Sequence, residues 1–170
     1  MSQPSALLPI QTLAPAALYF ANPAGVANQA DLFKLLSNAL YNLGLINNKE
    51  RFIRSVMERD QMGPTVVAEQ SFAIPHGQDE SVLQPSLSVC MFATPLVYQT
   101  PFSTAMVKKV FLFALPPAFE SHPAYATLQA FSAALVAPRF QDSLTDGTPY
   151  SDFCDLANDT MRVAAAVSIN

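Results

Sequence analysis

The sequence predicts a single α/β domain, in which helices cover both faces of a mixed, mostly parallel β-sheet of about five strands. The chain has 170 residues, enough for one domain with a substantial core. Helical segments with one apolar face alternate with short apolar runs, which is typical of helices packed on a sheet. Residues 110–115 are apolar at every position, as expected of a strand buried on both faces.

The amino-terminal part is divided into a mobile segment and the start of the domain. Residues 1–27 are rich in Pro and Ala; of these, 1–12 are expected to be mobile, whereas 13–170 are expected to form the domain. The first helix is predicted over 28–43, because Asn28 and Asp31 have the spacing of a capping box and leucines recur at helical spacing. Gly44 is its predicted stop.

The remaining elements follow from turn residues and periodicity. A second helix is predicted over 49–60, with Asn47–Asn48 as its cap and Gly63–Pro64 beyond its end. A third is predicted to begin at Ser121, with His122 and Pro123 in its first turn, and to end at Pro138. A last helix is expected over 151–163. Strands are predicted over 65–68, 72–74, 87–92 and 107–115, whereas 102–106 fits either a strand or a loop.

Composition excludes several classes of protein. The net charge of −4 argues against non-specific binding to nucleic acid, which requires a basic face. No apolar run approaches the ~18 residues of a membrane span. The start lacks a basic region before an apolar stretch, and two cysteines do not form a disulfide framework. We therefore expect a cytoplasmic protein with no nucleic-acid partner and no direct membrane insertion.

Chemistry is expected at the two histidines of the sequence, His76 and His122. The run before His76 should form a strand that stops at Pro75, because proline cannot donate to a β-ladder. Gly77 would then allow a turn or a close approach to a ligand. His122 lies at a predicted helix start, which favours an anion and a neutral imidazole. Both are also compatible with ordinary, partly buried histidines.

Other catalytic motifs are missing from the sequence. There is no phosphate-binding glycine loop, no GxGxxG, no HExxH and no GxSxG. The His and Cys residues are not close enough in sequence for a zinc motif. We therefore expect neither a metal nor a cofactor.

The stretch from Phe52 to His76 resembles the enzyme IIA family of the bacterial phosphoenolpyruvate-dependent sugar phosphotransferase system, in its fructose/mannitol class with galactitol-type variants included. The resemblance rests on Arg59, on Pro64–Thr65 and on the run Ala-Ile-Pro-His that ends at His76. A buried strand and His122 follow in the order found in this family. The likeness extends over nearly the whole chain.

The resemblance implies a role for each of four residues. His76 would be the phosphorylated nucleophile and His122 the second active-site histidine. Arg59 would stabilise the phosphate, and Thr65 would contribute a hydroxyl donor. The implied partners are the phosphocarrier HPr, which gives the phosphoryl group, a IIB component, which takes it on a cysteine, and indirectly a membrane IIC component.

The sequence also departs from the family pattern. Asp60 stands where the family usually has Glu, Pro123 where it usually has Leu, and 66–71 replaces a glycine-containing stretch. Two alternatives to sugar transport therefore stay open. One is a regulatory IIA-like protein whose phosphorylation state controls a partner or transcription. The other is a hydrolase that uses His76 as a general base.

Overall fold

The computed structural model describes residues 6–168 of the chain. Residues 1–5, which belong to the predicted mobile segment, lie outside this range. The strands are β1 Tyr19–Ala21, β2 Val66–Val67, β3 Phe72–Ala73, β4 His76–Gln78, β5 Ser86–Gln99 and β6 Thr104–Leu115. The helices are α1 Gln29–Asn42, α2 Lys49–Asp60, α3 Tyr125–Leu135, α4 Pro138–Ser143 and α5 Tyr150–Ser168.

The strands form one mixed sheet in the order β1-β5-β6-β3-β2, with β4 also paired to β6. Three pairs are parallel, β1 with β5 and both β3 and β4 with β6. The β2–β3 and β5–β6 pairs are antiparallel. The predicted mixed, mostly parallel sheet is confirmed. It has six strands instead of about five, because the chain forms two short strands, β3 and β4, on either side of Pro75.

Helices cover both faces of this sheet, as predicted. On one face, α1 and α2 bury residues such as Leu36 and Phe52 against the sheet. On the other face, α3, α4 and α5 pack around Phe111 and Phe131, whose rings meet edge to face. Alternate residues of β6 supply both cores, because successive side chains of a strand point to opposite faces. The apolar run of this strand is therefore explained by burial on both sides.

The packed part of the chain begins before residue 13. Ile10 is fully buried, and its N–H donates to Oδ1 of Asn158 on α5 over 2.8 Å. The Leu8 N–H donates to Oγ1 of Thr127 on α3 over 2.8 Å. The described part of the segment 1–12 is thus held against the helices by main-chain hydrogen bonds.

The helices α1 and α2 agree with their predicted bounds, whereas α3 does not. Asn28 caps α1 and Asn48 caps α2, and each side chain accepts a hydrogen bond from a main-chain N–H of its helix. The third helix begins at Tyr125 instead of Ser121, because residues Phe119–Ser121 form a separate 3-10 turn. Pro138 occupies the first turn of α4, where its missing N–H costs nothing.

The two long strands extend beyond their predicted bounds. The 102–106 stretch, which fitted a strand or a loop, contributes its last residues to β6. The strand predicted over 87–92 continues through Pro95 to Gln99, and the pairing register shifts between Met91 and Leu96. Such an irregularity accommodates a proline that cannot donate to the ladder.

The helices of this structure differ from membrane spans. Across residues 6–168, none of them has the length and the apolar character that crossing a bilayer requires.

Close packing, and not a turn, explains Gly77. The residue is buried in β4, which pairs with β6, and α2 lies directly on it. A Cβ at this position would lie 2.3 Å from Ser55 Oγ and 3.1 Å from Val56 Cγ2. The predicted turn at Gly77 is therefore wrong: the missing side chain lets α2 approach the strand that carries His76.

Replacing Gly77 by Ala is expected to destabilise the fold. The added methyl would push α2 away from β4, and overpacking of this kind costs about 1–3 kcal/mol. Urea unfolding followed by circular dichroism measures the loss. Gly147→Ala is the matched control, because its new Cβ would meet no atom closer than 3.7 Å. Equal stability of the two variants would contradict the packing role of Gly77.

Candidate active site

A surface pocket of about 520 Å³ contains three of the four residues implied as functional, Arg59, Thr65 and His76. They come from the end of α2, the start of β2 and the start of β4. Most of the remaining wall is apolar and includes Phe113, Leu115, Phe119 and Leu128. The pocket therefore combines one cation and one imidazole with a largely apolar rim.

His76 is positioned by a break in the edge of the sheet at Pro75. The strand before Pro75 ends as expected, since β3 stops at Ala73, but His76 is itself the first residue of a further strand, because the chain resumes pairing with β6 there. The side chain of His76 turns back, and its Nδ1 lies 3.0 Å from the carbonyl oxygen of Ile74. A carbonyl only accepts, so Nδ1 carries the hydrogen. In the neutral ring Nε2 is then the atom with a free lone pair.

The environment of His76 favours its neutral form. Burial lowers the pKa of His76, and the positive charge of Arg59 lowers this pKa further. The hydrogen bond to Ile74 and the negative charge of Asp60 oppose this shift. The net effect is a lowered pKa, which leaves Nε2 unprotonated near neutral pH.

Arg59 is the cation of the pocket. Its Nη1 donates to the carbonyl oxygen of Gly63 over 3.2 Å, which holds the side chain against the turn after α2. Within residues 6–168, no carboxylate forms an ion pair with Arg59. A guanidinium has five N–H donors, so several stay available to an anion in the pocket.

Thr65 lines the pocket, but its hydroxyl hydrogen is engaged. Oγ1 donates to Oδ1 of Asp60 over 2.7 Å, and the hydroxyl of Tyr98 donates to Oδ2 of the same carboxylate over 3.0 Å. All three side chains are buried. In this arrangement Thr65 offers the pocket an acceptor, so a donor role toward phosphate would require the hydroxyl to leave Asp60.

His122 borders the pocket instead of lining it. It lies three residues before α3, not in its first turn, and its ring stacks on Phe119 with a centroid distance of 5.8 Å. The Ala124 N–H donates to His122 Nδ1 over 3.0 Å. Because Nδ1 accepts, the neutral ring carries its hydrogen on Nε2. The two histidines thus have opposite tautomers, one with an accepting and one with a donating Nε2.

The sequence analysis missed a polar edge of the pocket on α3. Tyr125, Gln129 and Ser132 line it, and Gln129 Nε2 donates to the Tyr125 hydroxyl over 2.9 Å. Their spacing of four and three residues places them on one face of the helix. This spacing is visible in the sequence.

The whole domain matches a known family. Residues 18–159 match the family model described as phosphoenolpyruvate-dependent sugar phosphotransferase system, EIIA 2. The chain belongs to this family. This confirms the resemblance drawn from the residues around His76 and makes the protein an enzyme IIA component of a phosphotransferase system.

Relatives with known names agree with this membership. The chain is 30% identical over 94 residues to the 2-O-alpha-mannosyl-D-glycerate-specific EIIABC component of Escherichia coli, an alignment that covers 55% of this chain and 14% of that protein. The nitrogen regulatory protein IIA-Ntr of Neisseria meningitidis has the same fold, with a TM-score of 0.72, 17% identity and coverage of 87% and 98%. So does the complex of enzyme IIAMTL with phosphorylated enzyme IIBMTL from Escherichia coli, with a TM-score of 0.64, 15% identity and coverage of 85% and 96%.

The imidazole of His76 is expected to titrate below the ordinary histidine pKa of about 6.5. NMR titration of its ring protons, assigned by their loss in His76→Gln, measures the midpoint. Arg59→Gln should raise this pKa, because it removes a positive charge near the ring. Arg54→Gln, an exposed arginine on the same helix, is the control and should leave it in place. A midpoint at or above 6.5 in the parent protein would contradict the assigned environment.

Proposed function

We propose that this protein is a phosphocarrier of a sugar phosphotransferase system, which accepts a phosphoryl group from phospho-HPr on His76 and passes it to a IIB component. The observation that carries the proposal is the free Nε2 of His76 in an open, apolar-rimmed pocket that also contains Arg59, which forms no ion pair within residues 6–168. Membership in the EIIA family supports it, as does the fold shared with an enzyme IIA that forms a complex with phosphorylated IIB.

Nε2 of His76 is the nucleophile in this proposal. Its lone pair attacks phosphorus in line with the bond from phosphorus to the donor, which breaks as the new nitrogen–phosphorus bond forms. Positive charge develops on the ring, and the Nδ1–H donates to the Ile74 carbonyl throughout. The reverse geometry serves the second transfer, because the neutral imidazole is then the leaving group.

Arg59 and His122 stabilise the transferring group. In the transition state, negative charge is spread over the three equatorial oxygens of the phosphoryl group. Preorganised hydrogen-bond donors around these oxygens stabilise this charge and account for most of the catalysis. Arg59 already lines the pocket with unused N–H donors. His122 carries an N–H donor of its own, Nε2–H, beside the pocket residue Phe119. The apolar rim suits docking of HPr and of the IIB component in turn.

The site assignment is tested by phosphorylation with phosphoenolpyruvate, enzyme I and HPr. The parent protein should gain one acid-labile phosphate, detected by mass spectrometry, and His76→Gln should gain none, because it lacks the nucleophile. Phosphate on His76→Gln would show that another residue is the acceptor. Hydrolysis of a small ester without HPr, abolished in His76→Gln, would instead favour a hydrolase.

Loss of a donor should slow transfer without abolishing it. Removing one preorganised donor at a developing charge costs roughly 10²–10³-fold in rate. We expect losses approaching this range for His122→Gln and Arg59→Gln in single-turnover transfer from phospho-HPr. Arg54→Gln again provides the matched control on α2. If His122→Gln accepts phosphate as fast as the parent, its role as the second active-site histidine is wrong.

A further inference from the structure

The carboxylate of Asp60 is buried where an anion is unfavourable. Asp60 is the last residue of α2, and the carboxyl end of a helix dipole repels negative charge. Its side chain is 4% exposed. No lysine, arginine or histidine among residues 6–168 forms an ion pair with it. A buried carboxylate without an ion pair must be stabilised by hydrogen bonds from its neighbours.

Asp60 connects two parts of the fold that are distant in sequence. Tyr98, fully buried on β5, donates to one of its oxygens, and Thr65, on the pocket wall, donates to the other. Burial and the Asp60 charge raise the pKa of Tyr98, so its hydroxyl stays protonated and keeps donating. The carboxylate therefore fixes the start of β2 relative to the body of the sheet.

The chain of contacts continues from Thr65 to the nucleophile. The Ile74 N–H donates to the Thr65 carbonyl oxygen over 2.7 Å. The Ile74 carbonyl in turn accepts the Nδ1–H of His76 over 3.0 Å. Residue 74 thus has both main-chain groups engaged, one with Thr65 and one with His76. Thr65 therefore anchors the N–H of the same residue whose carbonyl accepts from His76.

We propose that Asp60 and Tyr98 are positioning residues for His76: through Thr65 they hold the Ile74 carbonyl in the orientation that selects the Nδ1–H tautomer and leaves Nε2 free. The inference rests on the proposed role of His76 as the phosphoryl acceptor. It assigns a purpose to Asp60, which differs from the Glu usual at this place. It also explains how the site stays ordered beside the unusual stretch 66–71.

The test uses side chains of matched shape. Tyr98→Phe removes one donor to Asp60, Thr65→Val removes the other, and Thr65→Ser restores the hydroxyl. Tyr41→Phe, at an exposed tyrosine on α1, is the control for loss of a phenol hydroxyl. The tautomer of His76 is read in the unphosphorylated protein from long-range ¹H–¹⁵N spectra of the imidazole. The rate of phosphorylation by phospho-HPr is measured separately.

We expect the Nδ1–H tautomer to dominate in the parent, Thr65→Ser and Tyr41→Phe proteins. Tyr98→Phe and Thr65→Val should show a mixture of tautomers and a loss of transfer rate of about 10–100-fold, because small misplacements of reacting groups have effects of this size. An unchanged tautomer in folded Tyr98→Phe would overturn the inference. If Thr65→Val does not fold, the result for Tyr98→Phe alone decides the question. Absence of phosphorylation in the parent protein would instead overturn the proposed function, since the tautomer is measured without HPr.

Discussion

The site depends on the way the chain on either side of Pro75 pairs with β6. Before the proline, Phe72 and Ala73 are in parallel register with β6, and after it the register is taken up again at His76. Between them, the Pro75 carbonyl still accepts the N–H of Phe113 over 3.0 Å. The N–H of Ile74 points to the other side, where its bond to Thr65 extends the antiparallel β2–β3 pairing by one residue. The Ile74 carbonyl is not used in the sheet and accepts from the imidazole of His76.

The same strand places the cation. Gly77 follows His76 and points to the opposite face, where α2 packs against it without an intervening side chain. Arg59, in the last turn of α2, reaches the pocket from this helix. The consecutive residues His76 and Gly77 therefore have different tasks on the two faces of the sheet. His76 presents its imidazole on one face, and Gly77 gives room on the other face for α2, the helix that carries Arg59.

The fold could be predicted from sequence, and His76 could be singled out as the candidate nucleophile, because both depend on local, strong signals. The caps of α1 and α2, the apolar run of β6 and the singular His76 all carry such signals. The start of α3 could not be predicted, because Ser121 and Pro123 have the chemistry of a helix start, whereas in the structure Ser121 ends a 3-10 turn and Pro123 lies in the turn before α3. The packing role of Gly77 and the Asp60–Tyr98 contact could not be predicted either. Each joins elements that are distant in sequence, and the spacing of residues along the chain does not indicate such contacts.

The two histidines illustrate how main-chain groups define the chemistry of a site. Each imidazole has a backbone partner at Nδ1, a carbonyl oxygen for His76 and an N–H for His122. One partner is a hydrogen-bond acceptor and the other is a donor. In the neutral rings, Nε2 of His76 is therefore an acceptor and Nε2 of His122 is a donor. The proposed phosphoryl relay would use this pair, with His76 as nucleophile and His122 as donor for the charge that develops beside it. Each main-chain partner lies two residues from its histidine in the sequence, and for His76 the proposed contacts of Asp60, Tyr98 and Thr65 hold that partner in place.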